Sequence, residues 1–297
     1  MYYLIYGILY LFSLLPLFIL YRISDLCHFV ICYVVRYRRE VVMNNLNIAF
    51  PEKSAKEKKK IAIQFYRNLT DTFIETIKML SLSEKKIHQM ATIDLSQSIA
   101  VAQQGKSIQF HAGHQFNWEF ANLLIAEQMP IPFIGVYKKI SNKHFNKLFF
   151  DLRSKKGTVL VATHEFRNRM HQLLSSQFSI GLAADQNPGN PHSAYWCNFF
   201  GKPVPFATGP DKSAIKNNTA VVFLKLIKKS RGKYHFSPGL IVEDTSTLKP
   251  GELTLMYRDF LESTIRECPH NYLWSHRRWR WEYSEQYASK WVDTKMP

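Results

Sequence analysis

Residues 107–120 read SIQFHAGHQFNWEF, and their order of types sets the reading of the whole chain. Ser107–Phe110 is a short apolar run of the kind that forms a buried strand. Gly113 follows in a polar turn. Asn117 is a good helix N-cap, and Phe120, Leu123 and Leu124 then recur at helical spacing. In open α/β sheets ligands bind beyond the carboxyl ends of the strands, and the side chains of this turn would stand there.

The same alternation extends outward. Pro132–Tyr137, Thr158–Ala162, Phe178–Ala184, Ala220–Ile227 and Tyr234–Val242 read as further strands. Asn117–Gln128, Asn142–Ser154, Glu165–Ser176 and Thr208–Lys216 read as helices between them, and Glu252–Glu267 closes the body as a helix. This texture predicts an α/β fold with a mixed central sheet flanked by helices. Ahead of it, SAKEKKKIAIQFYRNLTDTFIETIKML (54–80) has apolar residues mostly three and four apart, which predicts a long helix or a helical hairpin. Ser81–Gln103 reads as one or two short helices. Residues 54–105 thus form a helical part and 106–297 an α/β part of one domain.

The chain has 297 residues, 46% of them hydrophobic, which excludes a largely disordered protein. Lys and Arg outnumber Asp and Glu by 39 to 23, a formal net charge of +16 that asks for an anionic partner. Four scattered cysteines (Cys27, Cys32, Cys197, Cys268) fit neither a disulfide framework nor a structural zinc site, and imply a reducing compartment. From Tyr2 to Tyr21 no side chain is charged, so residues 1–22 read as a single transmembrane anchor. Arg22, Arg36, Arg38 and Arg39 all follow that run, and the positive-inside rule puts the body in the cytoplasm. Leu26–Val35 is too short to span, so 23–53 reads as a membrane-proximal connecting segment.

The turn carries the chemistry. His114 stands in it, and Glu119 follows in the first turn of the helix. On one continuous helix the two would point about 140° apart, whereas across a strand–turn–helix junction they can meet. A carboxylate on one ring nitrogen fixes the tautomer and leaves the other nitrogen free to take a proton. No Ser, Cys or Thr lies in this turn to act as a covalent nucleophile, which favours His114 as general base for an external hydroxyl. His111 reads as an ordinary hydrogen-bonded histidine. The spacing of His111, His114 and Glu119 does not match a zinc motif, and neither a metal nor another cofactor is called for.

HQFNWE resembles the H-x4-D/E motif of membrane-anchored acyltransferases, in the form found in the bacterial lipid A biosynthesis late acyltransferases. Further blocks resemble that family in the same order: RREVVMNNLNIAFPE (38–52), GVYKKISN (135–142), FDLRSKKG (150–157), ADQNPG (184–189), FFGKPVPFATGP (199–210) and PHNYLWSHRRW (269–279). Two positions depart from the pattern. Phe116 replaces the usual glycine, and Lys138 replaces an arginine able to bind phosphate bidentately.

The resemblance implies a glycerolipid-acyltransferase-like fold at the bacterial inner membrane. It implies transfer of a long-chain acyl group from an acyl carrier protein thioester to a hydroxyl of a phosphorylated glycolipid, a lipid A precursor. His114 would be the base and Glu119 its orienter. Arg153, supported by Lys138, would bind a phosphate or the developing oxyanion, with Asp185 and Gln186 orienting Arg153 or a sugar hydroxyl. His276 and Arg277 would meet headgroups and phosphates. An acyltransferase for another membrane lipid is the alternative. Nucleic acid ranks last among anionic partners, because no recognised nucleic-acid module accompanies the spread-out charge.

Overall fold

A computed structural model describes residues 1–294. Helices α1 (Tyr2–Leu14), α2 (Leu17–Phe29) and α3 (Arg39–Ala49) lead into the long α4 (Ala55–Lys78). Then come α5 (Glu84–Met90), β1 (Ala91–Ile93) and α6 (Ser96–Gln103). An alternating run follows: β2 (Ile108–His111), α7 (Trp118–Gln128), β3 (Phe133–Tyr137), α8 (Lys143–Ser154), β4 (Val159–Ala162), α9 (Thr163–Leu173) and β5 (Ser179–Leu182). A hairpin of β6 (Tyr195–Phe199) and β7 (Lys202–Phe206) precedes α10 (Gly209–Asn217), β8 (Ala220–Ser230), β9 (Lys233–Val242) and α11 (Glu252–Glu267).

Seven strands make the main sheet in the order β1-β9-β8-β2-β5-β3-β4. From β8 to β4 all neighbours are parallel; β9 runs antiparallel to β8, and β1 runs parallel to β9. The sheet is therefore mixed and flanked by helices, as the sequence predicts. Alternation along β8 assigns its faces. Val222 and Leu224 join one core with Phe110 and α7's Phe120 and Leu123, while Val221 and Phe223 join another with α4, α11 and the hairpin. Connections leave β2 towards opposite sides, with β5 on one flank and β8 on the other. A crevice opens at its carboxyl end.

Residues 54–80 form one helix, not a hairpin. Ser54 and Glu57 close a capping box at its start, with Glu57 N–H donating to Ser54 Oγ at 3.3 Å and Ser54 N–H to Glu57 Oε2 at 2.8 Å. Three strands escape the sequence reading. β1 has only three residues, and the β6–β7 pair includes Pro203 and Pro205, which a central strand would exclude.

The anchor differs from expectation. Tyr2–Tyr21 is not one helix, because Pro16 lacks an N–H and confines the preceding Leu15 to an extended conformation (φ −55°, ψ 143°). Among the described residues, the helix long and apolar enough to cross a membrane is Leu17–Val34, α2 continued through a π-helical turn at Val30–Val34. The Leu26–Val35 stretch is thus part of this helix and not a separate segment.

A charged cluster locks α2 and α4 to the β8–β9 hairpin. Buried Asp71 accepts from Ser24 (2.8 Å), Lys228 (2.9 Å) and Arg231 (2.7 Å). Asp71→Ala leaves Lys228 buried without its carboxylate and is expected to cost about 3–5 kcal/mol. Urea unfolding of the detergent-solubilised chain measures this, and a loss below about 1 kcal/mol would show that the cluster does not hold these elements together.

Candidate active site

Ala112 N–H donates to Leu182 O (3.0 Å), extending the β2–β5 ladder by one bond before the chain turns away. The turn is then held from the opposite side: Leu273 N–H donates to His114 O at 3.0 Å and Phe116 N–H to Asn271 O at 3.2 Å. Asn117 precedes α7, yet its side chain does not cap the helix. Its Nδ2 donates to Glu75 Oε2 (3.1 Å), a buried carboxylate that also accepts from Tyr234 (2.5 Å). Burial pushes the Glu75 carboxyl above the usual carboxylate range, with Lys228 opposing.

His114 and Glu119 do not meet. The carboxylate on the imidazole is Asp185, three residues past the end of β5, with Oδ1 2.6 Å from Nδ1. Its Oδ2 accepts the His114 backbone N–H at 3.1 Å, and the Tyr272 hydroxyl hydrogen-bonds it as well. The physical reason is the ladder: β2 and β5 are neighbours, so the first residues beyond each strand share one end of the sheet. Asp185 is 1% exposed, and its charge there needs these donors. The His114 side chain remains 26% exposed. Burial works against the charged imidazole, but the Asp185 charge and hydrogen bond outweigh it and hold the ring above its ordinary 6.5. In return His114 and the other donors hold Asp185 below the usual carboxylate range despite its burial.

Glu119 is engaged elsewhere. Arg153, at the end of α8, donates Nε to Glu119 Oε2 at 2.9 Å and Nη2 to Oε1 at 2.5 Å, and Trp118 Nε1 donates to Oε1 at 3.0 Å. Asp185 and Gln186 therefore do not orient Arg153; Glu119 does, because α7 and α8 pack side by side. His276 turns inward: its Nε2 accepts the Asn187 N–H at 3.1 Å, and burial, with the Arg278 charge, pulls its pKa down to about 4. Arg278 is the buried basic residue of that block, donating Nη1 to Pro205 O at 3.0 Å, whereas Arg277 is exposed. His111 lies 3.0 Å from the Gln109 amide, and burial depresses it to about 3.

Two cavities meet at Lys138. One, of about 360 Å³, runs from His114, Glu119 and Arg153 into apolar surface between α7 and the sheet. Gly135 and Gly181 are paired in register on β3 and β5 and leave its floor without side chains. A Cβ on Gly181 would lie 3.0 Å from the Phe133 ring, which also lines the trough. The other, of about 740 Å³, is lined by Arg38, Lys138, Gln186, Arg277 and Arg280, so four cations face one space. No sequence motif singled out Arg280, Gly135 or Gly181, since their part depends on strand register and on the C-terminal segment folding back.

The family model described as bacterial lipid A biosynthesis acyltransferase matches residues 1–281. The chain is 22% identical over 276 residues to the lipid A biosynthesis lauroyltransferase of Escherichia coli (strain K12), covering 92% of this chain and 89% of that one. It is 19% identical over 250 residues to the lipid A biosynthesis palmitoleoyltransferase of the same strain, covering 83% and 80%.

The two carboxylates make separable predictions. Asp185→Asn should lower kcat about 10³- to 10⁴-fold by releasing the tautomer. It should also move the acid limb of kcat/KM to lower pH, because a base held above 6.5 by that charge loses it. Glu119→Gln should leave the acid limb in place. Steady-state kinetics across pH decide the assignment, and an acid limb that moves with Glu119 and not with Asp185 would reverse it.

Proposed function

The chain belongs to the bacterial lipid A biosynthesis acyltransferase family and is an O-acyltransferase; on that premise we propose that it moves a long-chain acyl group from an acyl carrier protein thioester to a hydroxyl of a phosphorylated lipid A precursor, with His114 as base. The observation that carries this reading is the junction at Lys138, which lines both the apolar trough that reaches His114 and the four-cation cavity beside it. The acyl chain lies in the trough, and the acceptor's phosphate faces Lys138, Arg38, Arg277 and Arg280.

His114 Nε2 takes the proton of the acceptor hydroxyl as its oxygen attacks the thioester carbonyl. Asp185 stabilises the imidazolium and does not itself take the proton. A C–O bond forms, the C–S bond breaks, and the leaving thiolate recovers the proton from His114. No acyl-enzyme forms. Arg153, paired with Glu119, lines the wall beside the thioester, and Lys138 supplies charge to the oxyanion or the phosphate. Gln186 lines the acceptor cavity, and His276 braces the loop that carries it. The proposed seat is the cytoplasmic face of the inner membrane, where the basic residues after the apolar segment meet lipid headgroups.

The test is acyl transfer by the purified chain, with acyl carrier protein thioesters and a lipid A precursor, read by mass spectrometry of the lipid. One added acyl chain is expected, and an unchanged precursor with a consumed phospholipid acceptor would redirect the substrate assignment. Removing the charge at Lys138 or Arg277 should raise the acceptor KM about tenfold each, since hydrogen bonds to charged groups contribute about 1.5–3 kcal/mol. Phe133→Leu should shift the preferred donor to longer chains, with about tenfold or more discrimination per methylene. An unchanged chain-length profile would remove Phe133 as the stop.

A further inference from the structure

We propose that α1 and α2 lie in the plane of the membrane, embedded in one leaflet on the same side as the catalytic body, and that neither crosses the bilayer. The contacts along the apolar segment carry this. At its start the Tyr2 hydroxyl donates to Asp151 on α8 at 2.6 Å. At the bend, Lys78 Nζ donates to Ser13 O (2.7 Å) and Leu15 O (3.0 Å), and Ser81 Oγ to Ser13 O (2.7 Å). Further on, Tyr21 donates to Glu75 (3.0 Å), Ser24 to Asp71 (2.8 Å), and Arg231 pairs with Asp25 at 2.9 Å. Beginning, bend and middle of the segment are thus tied to one body.

Neither helix suits a crossing. α1 has 13 residues, about 20 Å, against a hydrocarbon core of about 30 Å. Leu17–Val34 is long enough, but Arg22, Ser24, Asp25 and His28 occupy its middle. Were it to span, Asp71, Glu75 and Arg231, which bond to it, and Lys228, which pairs with Asp71, would be drawn to membrane depth. Each central charge costs about 2.5–3.5 kcal/mol there even on insertion scales.

What the segment leaves uncovered is one apolar face. Leu4, Ile8 and Leu11 form a stripe along α1, and Phe18, Leu26, Phe29 and Tyr33 continue it along α2 and its π-helical turn; Phe18 is 70% exposed and Leu4 67%. Basic residues bracket the face: Arg36, Arg38 and Arg39 at one end, Lys143 and Lys147 on α8 at the other, all exposed. An apolar strip with cationic ends fits the headgroup–acyl boundary of an anionic leaflet. Arg22, between Phe18 and Leu26 on the exposed side, reaches the headgroups by its long stem. The face continues to exposed Phe150, which meets Tyr137 edge-to-face (centroids 6.1 Å apart) in the wall of the apolar trough. The inference rests on the acyl-transfer reading only for its consequence, that the acceptor lipid reaches His114 without leaving the leaflet.

Sidedness tests it directly. Inside-out membrane vesicles carrying the full chain, with its four native cysteines replaced by serine, a protease-cleavable tag ahead of Met1 and Lys249→Cys in the body, are treated from outside without detergent. Tag cleavage together with labelling of Cys by an impermeant maleimide is expected. A tag protected until detergent is added, with the body labelled, would overturn the proposal. Recovery of the chain as a soluble dimer would also overturn it, because a second copy would then cover the face. On phosphatidylethanolamine vesicles containing phosphatidylglycerol, replacing Arg36, Arg38 or Arg39 should weaken binding about fivefold each, and loss of binding unaffected by phosphatidylglycerol would reject the anionic leaflet. Absence of acyl transfer by the same vesicles would count against the proposed reaction and leave the topology result standing.

Discussion

The site depends on one buried carboxylate. Asp185 is almost wholly removed from water, and an unpaired charge there would be prohibitive. It is satisfied by three groups at the same end of the sheet: the His114 ring, the His114 backbone N–H and the Tyr272 hydroxyl. Satisfying Asp185 therefore fixes the turn after β2, the end of β5 and the segment that returns after α11. The same contact that makes burial tolerable gives the imidazole its orientation and raises its basicity, so the carboxylate's burial and the ring's basicity share one hydrogen bond.

Glu119 and Arg153 form a second, parallel unit. A bidentate pair between α7 and α8 sets the wall of the apolar trough, and Trp118 adds a third donor. The residue five positions after the histidine thus shapes the site from the helix side, while the residue 71 positions away holds the imidazole. The basic excess divides accordingly. Arg153, Lys228 and Arg231 neutralise buried or half-buried carboxylates. Arg38, Lys138, Arg277 and Arg280 line an open cavity, where an anionic group can reach them.

Local pattern carried much of this into the sequence. The apolar run of Ser107–Phe110 and the period of Phe120, Leu123 and Leu124 are enough to recognise a strand feeding a helix, and His114 falls in the turn by necessity. The partner of His114 was not legible, because it follows from β2 and β5 being hydrogen-bonded neighbours although β3 and β4 intervene in the chain. Gly135 and Gly181 were silent for the same reason, since each matters only through register. Pro16 is visible in the sequence, but an uncharged run reads as one helix by composition alone, whereas this proline divides it into two helices. The prolines of β7 concealed a strand that lies outside the main sheet.

We propose that Asp185 holds His114 as a strengthened base. NMR titration of the chain labelled with ¹³C-histidine measures it at the ring itself, with His114→Gln supplying the assignment. A His114 pKa above 6.5 that coincides with the acid limb of kcat/KM, and that falls in Asp185→Asn, is the expected result. A His114 that titrates below 6.5, or that is indifferent to Asp185→Asn, would contradict the account.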